Sequence, residues 1–183
     1  LTVMGMLRHG YVGQAVGEAT MLDVLGEATQ PVLGVCADVT ALPTRVLAAV
    51  DGSAPSLVAA RVAKRLLAAG GAMTLAYVSS ATPADAPNAL EELRAELSGT
   101  SRAGEAAGSV RTLVLEGEPM PALLAVAEAE PFDLVAAGTH GPGLFERIFV
   151  GSVARALVRG VRASMLIAPA PSGDAVSPRA VQP

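Results

Sequence analysis

The chain has 183 residues, enough for one ordinary domain and part of another. Half of it is hydrophobic (51%) but only 3% is aromatic, so a core must be built from Ala, Val and Leu, which suits helices packed closely on a sheet. The formal charge of -4 excludes a general binder of phosphate backbones, which needs a basic stripe, and nucleic acid is not an expected partner.

A single cysteine, Cys36, supplies neither an intramolecular disulfide nor a metal cluster, and no secretory pattern opens the sequence, so a cytoplasmic location is expected. Charges interrupt every apolar run before the roughly 18 residues that a bilayer requires, so no membrane association is expected. Lys64 is the one lysine, and it falls within a predicted helix. Chemistry that depends on a loop lysine is thereby excluded.

Taken in order, Leu1 to Cys36 reads as a strand ending at Gly5, a small-residue turn at Gly17, a helix carrying Met21, Val24 and Leu25, and a strand from Pro31 to Val35. The same succession recurs from Leu134 to Ala168, with Gly5 matching Gly138, which marks an internal repeat. Residues 1–40 are therefore expected to be the C-terminal remnant of a degenerate first domain, the plainer alternative being an unrelated hairpin. A complete domain is expected over residues 44–170.

Its five strands are Val46–Val50, Met73–Val78, Val110–Leu115, Leu134–Ala137 and Met165–Ala168, each short, apolar and without the strict alternation of a sheet wet on one face. Four helices alternate with them. The first is read with Val58, Val62 and Leu66 inward and Arg61, Lys64 and Arg65 outward. The second opens at Asn88 with Glu91 as its capping-box partner and buries Leu90, Leu93 and Leu97. The third opens near Pro121 and buries Leu123, Leu124 and Ala127. The last runs from Ser152 with Val153, Leu157 and Val161 inward and Arg155, Arg159 and Arg162 outward. Residues 100–109 read as a flexible connection, and the Pro, Ser and Ala tail 171–183 has nothing to bury.

The chemistry-bearing stretch is Gly138-Thr-His-Gly141, nine residues, then Gly151-Ser152, between the fourth strand and the last helix. Glycines permit close backbone approach to a ligand, and a helix opening at Gly151-Ser152 offers unpaired N–H groups to an anion. Without Gly-Lys-Ser/Thr this is not the Walker loop, and it also fails the dinucleotide fingerprint. Asp51, ending the first strand beside Gly52 and Ser53, reads either as a ligand contact or as a helix cap. His140 has no partner at metal-ligand spacing and Arg147 reads as a solvated loop charge. Glu116 and Glu118 are close enough for acid and base work, but they sit at a strand exit beside Gly117 and Pro119 and read as a solvated turn.

The spacing Gly138-x2-Gly141-x9-Gly151-Ser152, together with Val50-Asp51-Gly52-Ser53, resembles the signature of ATP-binding universal stress proteins. That resemblance implies an α/β, Rossmann-like fold of the adenine nucleotide alpha hydrolase-like kind, with a five-stranded parallel sheet in the order 3-2-1-4-5 and helices on both faces. It implies ATP, with Mg2+ as a companion, as the ligand. Ala49, Val50 and Asp51 should flank adenine and ribose, and Val78 should pack on the base. Ala137, Gly138 and Gly141 should lie along the nucleotide, and Gly151, Ser152, Val153 and Ala154 should hold the phosphates. The first copy departs from the pattern, since Gly5 to Gly10 has the wrong spacing and Glu18 replaces the serine after Gly17. The function implied is a non-enzymatic, nucleotide-dependent stress-response module. The alternatives are an interaction module that pairs through its fifth strand, as a homodimer or within one chain against Pro31–Val35, and a weak ATPase that lacks any evident base.

Overall fold

The computed structural model describes residues 1–6, 20–79, 88–99, 106, 108–139 and 151–170. Gly141, His140 and Arg147 of the loop, Gly10 to Glu18 of the first copy, residues 100–105 and 107 of the connection, and the tail 171–183 lie outside the described residues.

Seven strands form one sheet: β1 (Thr2–Met6), β2 (Val32–Cys36), β3 (Arg45–Ala49), β4 (Ala72–Ser79), β5 (Ser109–Glu116), β6 (Leu134–Gly138) and β7 (Ser164–Ala168). Their order is β1-β2-β7-β6-β3-β4-β5. Every neighbouring pair is parallel except β2 and β7, which run antiparallel with Leu33 opposite Leu166. The expected five-stranded, all-parallel sheet is corrected by this: the order 3-2-1-4-5 survives as the run β5-β4-β3-β6-β7 at one end of a seven-stranded sheet. The physical reason is that β7 would otherwise present a bare row of N–H and C=O groups, and β2 pairs with it inside the same chain.

Helices cover both faces. Met21 and Leu25 of α1 (residues 20–27), Leu123 of α4 (Pro119–Ala129) and Leu157 of α5 (Ser152–Gly160) share one core layer. Ala59 and Ala63 of α2 (Ala54–Leu66) and Leu90 and Leu93 of α3 (Asn88–Ser98) share the other. Full burial of a side chain such as Leu157 contributes about 1.5–3 kcal/mol. Helix α2 is turned from its expected orientation. Ala59, Ala60 and Ala63 are fully buried, whereas Val58, Val62 and Leu66 pack only partly. Alanines let the helix lie close on β3, β6 and β7, and the branched side chains then splay to its flanks. The same rotation turns Lys64 inward, with 9% of its surface exposed, instead of leaving it in solvent. Helix α4 begins at Pro119, two residues before the expected start, and α5 buries Ala154, Leu157 and Val158, with Val153 only half-buried.

At the opposite end of the sheet from the candidate site, Asp133 fixes where β3 begins. One carboxylate oxygen accepts from the Thr44 N–H (2.7 Å), the Thr44 hydroxyl (2.8 Å) and the Arg45 N–H (2.9 Å). Partial burial pushes its pKa up, but the Thr44 and Arg45 donors outweigh that and hold it below the ordinary aspartate value. A lowered pKa stabilises the fold above the unfolded value and ceases to do so as pH falls through the folded one. Asp133→Ala is expected to cost about 1–2 kcal/mol at neutral pH, because the site is exposed. In urea titrations the gap between wild type and variant should close as the pH drops below about 3.9. A gap that persists unchanged in acid would show that the carboxylate charge is not what matters.

Candidate functional site

Strands β3 and β6 are neighbours from which the chain departs in opposite directions, to β4 on one side and β7 on the other. At such a switch point the loops leaving the carboxyl ends diverge and a crevice opens between them. Here it is a cleft of about 320 Å³. The ends of β3, β4 and β6 supply Ala49, Val50, Ala76, Val78, Ala137 and Gly138, and α4 adds Pro119 and Leu123. Thr139, Gly151, Ser152, Val153 and Ala154 line the α5 side, with Asp51 and Ser56 on the α2 side. The size lies at the lower end of the range for small-molecule sites, and the lining is apolar with a few polar groups, as such sites usually are.

The polar groups are placed by local turn chemistry. Gly52 has a φ of 81°, a conformation that glycine adopts without strain, and it lets the Asp51 carboxylate fold back onto the Ser53 N–H at 2.9 Å. Ser53, with extended backbone, is the N-cap of α2, and its hydroxyl oxygen accepts from the Ser56 N–H at 3.4 Å. Asp51 is therefore not the cap of α2. Its N–H donates to the Ser56 hydroxyl (3.3 Å), which in turn donates to the Ser53 carbonyl (2.9 Å), so the end of β3 is held against α2 where Asp51 lines the cleft.

Helix α5 starts differently. Gly151 is its N-cap and no side chain caps it. The Gly151 N–H donates to the Thr139 carbonyl at 2.6 Å, and the first helical bond runs from the Arg155 N–H to the Gly151 carbonyl at 3.0 Å. The N–H groups of Ser152, Val153 and Ala154 consequently have no partner within the helix, and they carry its positive dipole end into the cleft wall. These donors fit an anion. Gly151 itself serves to tie the helix to the loop after β6. Ser152 is exposed and lies one residue inside the helix.

Gly138 lines the cleft and has a packing role besides. A Cβ at this position would lie 2.7 Å from the Ser56 nitrogen and 2.9 Å from the Pro55 Cβ, so its bareness admits the first turn of α2 against β6. Ten of the eleven residues singled out in the sequence line this one cleft, and the eleventh, Gly141, lies outside the described residues. Ser56, Ala76, Pro119, Leu123 and Thr139 were not foreseen. Ala76 was within reach of period-two reasoning, since it pairs with Ala49 and shares a face with Val78. Nothing local in the sequence announces that α4 leans over β4. Among the described residues no three His, Cys, Asp or Glu side chains gather as a metal site, and no helix is long and apolar enough to cross a membrane.

The sequence profile of the Universal stress protein family matches residues 43–169. The chain belongs to that family. A universal stress protein of Lactobacillus plantarum shares the fold with a TM-score of 0.56 at 21% identity, over 71% of this chain and 99% of its own. One from Archaeoglobus fulgidus gives 0.62 at 24%, over 80% of this chain and 53% of its own. A universal stress protein solved in complex with cAMP gives 0.52 at 24%, over 70% and 98%. At these identities the likeness is one of fold. No curated protein matches the sequence. In this universal stress protein an uncapped helix start, a turn-held carboxylate and apolar walls converge in the cleft at the β3 and β6 ends.

Proposed function

We infer that this universal stress protein domain binds an adenine nucleotide, ATP first, and acts as a nucleotide-dependent stress-response module rather than as an enzyme. The observation that carries this reading is the uncapped start of α5 opening into an apolar cleft between β3 and β6. Ala49, Val50 and Val78 are suited to the base, Asp51 to a ribose hydroxyl, and the N–H groups of Ser152 to Ala154 to phosphate oxygens. The cAMP complex of a protein with this fold supports an adenine ligand. Magnesium would arrive on the phosphates, as no protein ligand set for it is described.

Hydrolysis has little support, because Asp51 is the one titratable side chain lining the described cleft and phosphoryl transfer needs charge neutralisation as well as a positioned water. A role in pairing alone is also weakened, because the β7 edge is already occupied by β2 of the same chain. A cytoplasmic setting accords with this reading. The test is calorimetric titration of the chain with Mg-ATP. Micromolar binding at one site per chain is expected, and the absence of heat across the micromolar to millimolar range, with cAMP equally silent, would overturn the adenine-nucleotide reading.

A further inference from the structure

Four of the six methionines of the chain gather about one glycine, Gly34 of β2. Met4 of β1 and Met165 of β7 are its cross-strand partners, and residues paired in register share a face of the sheet. A Cβ on Gly34 would collide with the Met6 sulfur and lie 2.9 Å from the Met21 sulfur, so the thioethers of β1 and α1 both reach into the space that a side chain would take. Met6, Met21 and Met165 are fully buried, and Met4 packs against the same core layer. Cys36, also buried, falls on this side of β2 two residues further on, with Met6 as its partner across the strand pair.

Filling volume alone does not call for this arrangement. The layer is otherwise built from residues such as Leu25, Val32, Val158 and Ile167. A glycine inside a strand weakens it and often marks the close approach of a ligand. An alanine at 34 beneath two leucines would give a stiffer strand and a core with better-defined rotamers. What the glycine and two methionines supply together is a pair of soft donor atoms at one point. Metal–sulfur bonds run to about 2.3 Å, so two sulfurs that both come within 2.9 Å of one point can share a cation after small rotations of their flexible side chains. Among the described residues no Asp or Glu is buried, so a hard divalent ion finds nothing here to replace its water. Thioether and thiol ligands select copper(I) instead.

We propose that Met6 and Met21, with Met4, Met165 and Cys36 around them, form a site for one soft monovalent cation of the copper(I) class. None of these five residues lines the nucleotide cleft, so the site does not depend on the function proposed above.

The test titrates the full chain, carrying methyl-labelled methionine, with Ag(I), which has the same soft monovalent chemistry and is stable in air. The Met6 and Met21 methyl signals should move and saturate at one equivalent, with a Kd of about 1 μM or tighter, while that of Met73, in the other core layer, stays in place. Met6→Leu combined with Met21→Leu conserves volume, a change that cores tolerate, so the thermal melt and the Mg-ATP titration should be kept while Ag(I) affinity falls at least about tenfold. Cys36→Ser should weaken Ag(I) less than that pair and leave the methyl shifts saturable. Met6 and Met21 signals of the wild type that stay still through several equivalents overturn the proposal. So does Ag(I) binding that survives the double leucine variant and vanishes in Cys36→Ser, because the cation would then belong to a lone thiol.

Discussion

The double variant Gly151→Asp, Ser152→Asp should lose Mg-ATP binding by at least about 100-fold, or about 2.7 kcal/mol, in the calorimeter. It sets two carboxylates at the N-cap and first position of α5, where the N–H groups of Ser152, Val153 and Ala154 lack helical partners. Those carboxylates compete for the same donors and repel phosphate in a cleft whose walls are mostly apolar. The fold itself should not suffer. Asp is a favoured N-cap, and negative charge in the first turn complements the helix dipole, so thermal stability should hold or rise slightly. That separation gives the result its meaning, since lost binding with an unchanged melt cannot come from unfolding. Undiminished binding would place the phosphates elsewhere.

Gly138→Val should be the most destabilising single change at the site, by about 3 kcal/mol in urea unfolding. The added Cβ would meet the Ser56 nitrogen at 2.7 Å and the Pro55 carbonyl carbon at 3.0 Å, both backbone atoms at the capped start of α2, with no flexible side chain to move aside. Helix and strand must part, and the cleft between them is distorted. Gly26→Ala is the control, because nothing lies within 4 Å of the Cβ it adds and it falls in α1, where alanine is favoured over glycine by about 1 kcal/mol. Equal midpoints for Gly138→Val and wild type would mean that α2 does not rest on β6 as closely as described.

What could be read in the sequence was the alternation of strands and helices, because each apolar run is bounded by its own turn residues. Leu90, Leu93 and Leu97 of α3 are buried as their spacing requires. The internal repeat also pointed to a strand at Pro31–Val35 able to cover the fifth-strand edge within one chain, and β2 does lie against β7 although the two are more than 120 residues apart; what the sequence did not give was a single sheet of seven strands. Helix α2 misled for another reason. Valines at 58 and 62 outweigh alanines at 59 and 63 in any hydropathy stripe, but close packing against a sheet rewards the smaller side chain. At the site, glycine spacing led to residues that line one cleft without giving their separate structural parts. Gly138 makes room for α2, Gly151 ties α5 to Thr139, and Ser53 takes the capping role that Asp51 also fitted.

Lys64, turned inward beneath α2, gives the chain an unusual property in solution. As the one lysine of the 183 residues, it is the sole side-chain amine, and it is shielded while α2 lies on the sheet. With only 9% of its surface exposed, this amine should react with acylating reagents far more slowly than a free lysine, and its labelling rate reports on local opening around α2.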